Sequence, residues 1–390
     1  MKLAIILGRG VEGAGVSTFA KELNDYYIDS TVFIYNEKKW QAGNLKIFRN
    51  SCIITLLNIS QVSKDINTNY DVVLYLSLPP KKNISEEALQ AFKKYMIDNV
   101  IRPKSFYSQN DHHLQSLNRN SFLDDICTKV DGIFSFSKTS TLFTRYAPNV
   151  YDHKYLHLCN GYNFSKNEKF IKDIKHRKTY ITYLGRYAKF KNPQNLLALS
   201  SDVRIKNTFI VQLLGCAKTI ECYHQLLCNN GASRIANGSA YFKLHYVKGD
   251  EEMHFPSIPY IYGAYKDKEL ILDYISTGLF GCSFYNFKNG IDGDNVEYAQ
   301  LEMISVGLVP LFSEDFAKSK IISRIPIIDY KDCGVYLADD LSNISECCDK
   351  LLELNYNRTL AQKYQKNAYD LYRSKYDSKY SFRKMIAKMS

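Results

Sequence analysis

At 390 residues, 45% hydrophobic and 23% charged, the chain is long enough for two globular domains and too apolar to be a disordered one. Its formal net charge of +11 is compatible with a polyanionic partner, and equally with plain colloidal solubility. Ten cysteines without a C-x-x-C pair argue against a disulfide framework and a zinc site, leaving reduced thiols in a cytoplasm as the simple reading.

The first predicted element is a buried strand, KLAIIL at 2–7. It is too short for a signal-peptide core, and no other run approaches a membrane span, so no membrane association is expected. Behind it stands LGRGVEGAGVST, residues 7–18, and then a helix, STFAKELNDYYI. Gly8, Gly10 and Gly13 match the dinucleotide fingerprint G-x-G-x-x-G, while Gly10, Gly15 and Ser17 match a P-loop whose lysine position holds Val16. A P-loop needs that lysine at the outer phosphates, so the NTPase reading fails. A dinucleotide site needs an acid after the second strand, and Glu37 stands near that distance without a clear turn. What survives is general. Glycines after a strand let backbone approach a ligand, and the helix N-terminus favours a negative one; a tight turn without ligand has the same pattern.

Further strands are expected at TVFIY (31–35), CIITLL (52–57), DVVLYLSL (71–78), SFYSQ (105–109) and GIFSFS (132–137). Between them SEEALQAFKKYMIDNV (85–100) reads as an amphipathic helix capped by Ser85. The alternation predicts a parallel sheet with crossover helices over residues 1–150, and residues 151–178, ending in KHRK, read as a link.

A second alternating series begins at TYITYLGR (179–186) and continues through NTFIVQLLG, IPYIYG, GLFGCSFYNF and LVPLF. Arg186 and Lys191 follow its first strand, where they suit a diphosphate; the alternative is solvated surface charge. Cys216, Cys222, His224 and Cys228 are spaced for a helix face rather than a tetrahedral metal. IDGD (291–294) imitates a D-x-D metal signature but lies in a Gly/Asn-rich turn, so turn and cap chemistry is expected and no metal. The stretch NVEYAQLEMISVGLVPLF reads as helix, glycine stop, strand, with Asp294 or Asn295 as cap and Glu297 at the capping-box position. Glu302 has no such role. It stands among Leu301, Met303, Ile304 and Val306, where a carboxylate is costly without a partner, and it could accept both hydroxyls of a ribose. The second domain is placed at 179–355 and a helical tail at 356–390, with nine Lys/Arg against three acids from residue 351.

GRGVEGAGVSTF (8–19), QNDHHLQSLNRN (109–120), GRYAKFK (185–191) and EYAQLEMISVGLVPLF (297–312) resemble, in this order, segments of the T-even bacteriophage DNA α-glucosyltransferase family, which glycosylates 5-hydroxymethylcytosine. The resemblance implies a GT-B fold: two Rossmann-like domains facing across a cleft, with C-terminal helices crossing back to the first. It implies a UDP-sugar on the second domain, double-stranded DNA on the first and retention of configuration. The acceptor nucleotide is then expected to flip out of the stack, the protein to be a monomer, and no divalent metal or other cofactor to be essential, Arg186 and Lys191 taking the place of a metal. Arg186, Lys191, Glu297 and Glu302 fall on donor positions, Gly13 and Gly15 on the loop near diphosphate and sugar, and Asp111 with His112 on the acceptor side. An ordinary aspartate, with a pKa of about 3.9, is a poor base for an alcohol, so Asp111 is expected to orient the acceptor. One departure bears on the sugar: Asn110 stands where the family has histidine, so UDP-glucose and a UDP-pentose such as UDP-arabinose are both candidate donors. The rival readings are a GT-B transferase of cell-surface glycan synthesis and a nucleotide-binding regulator.

Overall fold

The structure is a computed structural model that describes residues 1–8, 15–35, 47–79, 84–108, 122–135, 155–184, 192–214, 232–237, 241–248, 251–254, 268–284, 296–314 and 330–390. The chain divides into two units, Met1–Asn163 with Tyr376–Ser390, and Phe164–Lys375.

Leu3 to Leu7 are all fully buried, as a strand covered on both faces requires. They form β1 (Leu3–Leu7), followed by α1 (Gly15–Tyr26), β2 (Ser30–Tyr35), β3 (Ser51–Ile54), α2 (Ile59–Asn69) and β4 (Val72–Ser77). After these come α3 (Glu86–Phe92), β5 (Lys104–Ser108), α4 (Phe122–Lys129), β6 (Gly132–Ser135) and β7 (Tyr155–His157). The strands make one parallel sheet of seven, ordered β3-β2-β1-β4-β5-β6-β7. Ala4, Ile6, Val73 and Tyr75 pack with Ile66 of α2, Phe92 of α3 and Ile126 of α4 in one core. The buried Tyr75 hydroxyl donates to the Met96 carbonyl. Ser85 caps α3 as its sequence suggests, accepting from the Ala88 N–H at 3.2 Å with Glu86 and Glu87 in the first turn. Residues 151–178 are not simply a link: Tyr155–His157 is the edge strand of this sheet, and the first unit runs on to Asn163.

The second unit contains β8 (Lys178–Leu184), α5 (Pro193–Ser201), α6 (Val203–Thr208), β9 (Ile210–Leu214), β10 (Ala232–Asn237), β11 (Tyr241–Lys248) and β12 (Glu251–His254). It continues with α7 (Lys268–Ile275), β13 (Gly278–Ser283), α8 (Tyr298–Ser305), β14 (Val309–Ser313), β15 (Val335–Leu337), α9 (Ile344–Tyr356) and α10 (Arg358–Tyr376). Five strands form a parallel sheet, β15-β14-β13-β8-β9, whose core joins Ile181, Tyr183, Phe280 and Leu311 to Leu199 of α5 and Leu351 of α9. The strands β10, β11 and β12 pair as a separate antiparallel sheet, an element the sequence pattern does not announce.

The helical tail belongs to both units. Asp377 interrupts it, capping α11 (Ser378–Met389) by accepting from the Lys379 N–H at 3.0 Å. The returning chain is held by backbone bonds, Tyr162 N–H to Tyr376 O at 2.8 Å and Ser378 N–H to Tyr162 O at 3.0 Å. Phe382 of α11 meets Phe19 of α1 edge-on at 5.2 Å, and Phe19 stacks on Tyr107 of β5 at 4.1 Å. A side chain at Gly161 would collide with the Phe382 ring, its Cβ falling 2.4 Å from Cζ. Among the described residues no helix is long and apolar enough to cross a membrane.

Candidate functional site

In the first unit strand order reverses at β1, which lies between β2 and β4. Such a reversal opens a crevice at the carboxyl ends of the strands, where open α/β sheets bind ligands. Gly8 stands at that end. Its N–H donates to the Ser77 carbonyl at 2.8 Å, and a Cβ there would lie 2.4 Å from the Leu78 carbonyl carbon. Only glycine allows β1 and the exit of β4 to come so close, which the fingerprint reading of Gly8 did not identify. Gly15 opens α1, whose first turn carries no acid, so its unpaired N–H groups favour an anion. Gly13 lies outside the described residues. So do Asn110, Asp111 and His112, which come in sequence after Ser108, the last residue of β5.

In the second unit the reversal falls at β8, between β9 and β13. Leu184 ends β8, and Arg186 and Lys191 follow outside the described residues. The chain is described again at Asn192, in the left-handed region at φ 38°, just before Pro193 starts α5. From the adjacent strand β13 the chain returns through α8, so the N-terminus of α8 stands at the carboxyl end of the sheet.

The start of α8 corrects the sequence reading. Glu297 is itself the N-cap, at φ −74° and ψ 155°, and Gln300 completes the capping box by accepting the Glu297 N–H at 2.9 Å. Gln300, three residues on, was the signal for this register. Asp294, Asn295 and the rest of IDGD lie outside the described residues, as do Cys216, Cys222, His224 and Cys228. Among the described residues no cluster of metal-ligating side chains occurs, and the described cysteines are free thiols.

Glu302 lies five residues beyond the cap, roughly 7.5 Å along the axis. It is 4% exposed on a helix buried on every side. Three contacts fix α8. A Cβ at Gly281 would lie 2.9 Å from Met303 Cβ, so the helix packs close on β13. The Ser305 hydroxyl accepts from the Asn167 amide at 2.8 Å. Arg177, from the KHRK run expected in a link, is instead buried and donates to the carbonyls of Lys172, Gly278 and Val306 at 3.2, 3.0 and 2.8 Å. Burial lowers its pKa to about 10, against the opposing pull of Asp173, so it stays cationic at neutral pH and complements the C-terminal dipole of α8. Its position directly before an apolar strand was the available signal.

Gly307 stops α8 with φ +80°, and its carbonyl accepts from the Gln365 amide at 2.9 Å. A Cβ there would sit 2.4 Å from Gln365 Nε2 and 2.8 Å from Arg177 Nη2. Gly307→Ala is therefore expected to destabilise the protein by about 1–2 kcal/mol from the left-handed backbone alone, with the crowding in addition. Urea unfolding followed by circular dichroism checks this; an unchanged midpoint contradicts it.

No family model matches the chain. It is 22% identical over 420 residues to the DNA alpha-glucosyltransferase of Enterobacteria phage T4, the alignment covering 99% of each chain. Among solved structures it is similar to an alpha-glucosyltransferase in complex with UDP-glucose and DNA containing an abasic site, with a TM-score of 0.77 and 18% identity over 100% of this chain and 99% of the other. A complex of alpha-glucosyltransferase with UDP and a 13-mer DNA containing a HMU base matches over the same shares, with a TM-score of 0.76 and 18% identity. The Anabaena protein Alr3699/HepE in complex with UDP-glucose also matches over 100% of this chain and 99% of its own, with a TM-score of 0.66 and 11% identity. The fold is GT-B.

Proposed function

We propose that this GT-B chain is a retaining, UDP-sugar-dependent glycosyltransferase that modifies 5-hydroxymethylcytosine in double-stranded DNA, acting as a monomer in the cytoplasm of a phage-infected cell. The observation that carries this reading is likeness over the whole length, 99% of both chains, to a phage DNA alpha-glucosyltransferase. The solved relatives held with UDP-glucose and DNA support the same donor and acceptor classes.

Each residue has a role within this reading. Arg186 and Lys191 counter the charge that develops on departing UDP, the electrostatic contribution that usually dominates such transfers. Glu302 holds the donor ribose, and Glu297 supports it from the helix cap. Gly13 and Gly15 let the backbone approach the diphosphate and sugar. In front-face substitution the bond from the anomeric carbon to the UDP oxygen breaks as the acceptor oxygen bonds to that carbon. The hydroxymethyl proton passes to the departing phosphate oxygen. Asp111 and His112 orient the acceptor, which must leave the base stack at a cost of a few kcal/mol. The cost is offset by contacts to DNA phosphates.

The deciding measurement is mass spectrometry of nucleosides from hydroxymethylated duplex DNA incubated with UDP-glucose or UDP-arabinose. A hexosyl or pentosyl adduct on 5-hydroxymethylcytosine is expected. Unmodified nucleosides with both donors, alongside transfer to a glycan or lipid acceptor, would favour the cell-surface rival. In the same assay Asn110→His is expected to shift the preference between the two donors, because the amide cannot carry the charge a histidine can. An unchanged ratio removes Asn110 from sugar selection.

No divalent metal is proposed to be essential, since Arg186 and Lys191 supply the positive charge. Turnover is expected to persist in excess EDTA. Abolition by EDTA with rescue by Mg²⁺ or Mn²⁺ would instead make Asp292 and Asp294 candidate ligands.

A further inference from the structure

The cations of the C-terminal forty residues differ in what already faces them. In the second unit Lys363 pairs with Asp332 at 2.6 Å, Arg373 with Glu168 at 2.9 Å, and Arg358 donates to Asn355 at 3.0 Å. In the first unit Lys379, Arg383, Lys384 and Lys388 of α11 are all exposed and form no salt bridge among the described residues. Residues 378–390 contain no acid, and the neighbouring Asp377 is buried and engaged as the cap.

The inner side of α11 is fully used. Ser381, Phe382, Met385 and Met389 are buried, with Phe382 locked between Phe19, Tyr26 and the space left by Gly161. What remains outward is the four cations, Ala387 and Tyr380, the last 48% exposed with its ring centroid 4.8 Å from the Lys379 ammonium. Lys379 and Lys388 lie nine residues apart, roughly 13 Å of helix. Phosphates on one DNA strand recur every ~3.4 Å along the duplex axis, so about four fall within that length.

We infer that the outward face of α11 is a docking surface for the DNA sugar-phosphate backbone, formed by Lys379, Arg383, Lys384 and Lys388 with Tyr380 as an additional donor. The inference rests on the proposed DNA-modifying reading and adds where in the first unit the duplex backbone is held. An anionic membrane is the poorer partner. A helix that lies on lipid inserts its apolar side, and here that side is consumed by the core.

The test is the variant Lys379→Gln/Arg383→Gln/Lys384→Gln/Lys388→Gln, with Lys363→Gln as control. Binding of unmodified duplex DNA is measured by fluorescence anisotropy across a salt series, and UDP affinity by calorimetry. Each phosphate contact contributes about 0.9 to the slope of log affinity against log salt. The quadruple variant is expected to lose roughly 2–4 from that slope and at least tenfold in affinity at moderate salt. Lys363→Gln should keep the wild-type slope, and both variants should keep UDP affinity. A quadruple variant with the wild-type slope overturns the inference, as does loss of binding to phosphatidylserine vesicles with DNA binding intact. The two failures are separable. If wild-type protein glycosylates DNA but the slope ignores α11, only this surface is wrong. If the slope depends on α11 but no sugar is transferred, the surface stands and the enzymatic reading falls.

Discussion

Replacing Asp111 with alanine is expected to lower sugar transfer at least about 100-fold while UDP-sugar affinity stays unchanged. In sequence Asp111 comes three residues after the end of β5, and open parallel sheets bind ligands beyond the carboxyl ends of their strands. In the proposed reaction a carboxylate at this position would accept the hydroxymethyl O–H and turn the oxygen lone pairs towards the sugar. A group that only orients need not carry charge. Asp111→Asn is therefore expected to fall between wild type and alanine, because its amide oxygen still accepts the hydroxyl. Single-turnover rates at saturating donor separate the two variants. Near-normal rates for Asp111→Ala would reduce the residue to capping the turn after β5.

The second large effect is expected on the donor. Glu302→Ala should weaken UDP binding roughly 10- to 100-fold, with the circular dichroism spectrum and unfolding midpoint close to wild type. A hydrogen bond to a charged acceptor contributes about 1.5–3 kcal/mol, and 1.4 kcal/mol is tenfold in affinity. The carboxylate is held on a helix fixed at both ends, by the Glu297–Gln300 box and by Arg177, so in the proposed role it would bind a ligand without a large ordering cost. Glu302→Gln preserves shape and one acceptor and should lose less than alanine. Titration calorimetry with UDP decides the matter: equal affinities in wild type and both variants would leave Glu302 as a core residue of α8.

The sequence made the parallel strands legible because apolar runs such as Leu3–Leu7 and Val72–Leu76 are buried on both faces and bounded by polar turns. Ser85 and Gly307 were legible because a cap and a left-handed stop each admit few residue types. Three residues, as in β7, carry no periodicity to read, and a hairpin strand such as β11 mixes Lys243, His245 and Lys248 with its apolar positions. The register of α8 was missed because Asp294 and Glu297 mimic the same capping spacing that Glu297 and Gln300 fulfil. Of the candidate site residues, Gly15, Glu297 and Glu302 are among those the structure describes, at the start of α1 and in and before α8. Arg186, Lys191 and Asp111 lie outside the described residues, and composition fixes which strand a loop leaves but not where its side chains point.

The return of residues 376–390 to the first unit has a consequence for biosynthesis. Phe19 and Tyr26 are translated more than 350 codons before Phe382, which covers them. At about 5–20 residues per second that interval is roughly 20–70 s. Throughout it the aromatic side of α1 lacks its native cover and is open to chaperones or to other nascent chains. A stop codon before Asp377 would therefore leave this unit permanently without that cover, although the stop lies some 350 codons downstream of α1.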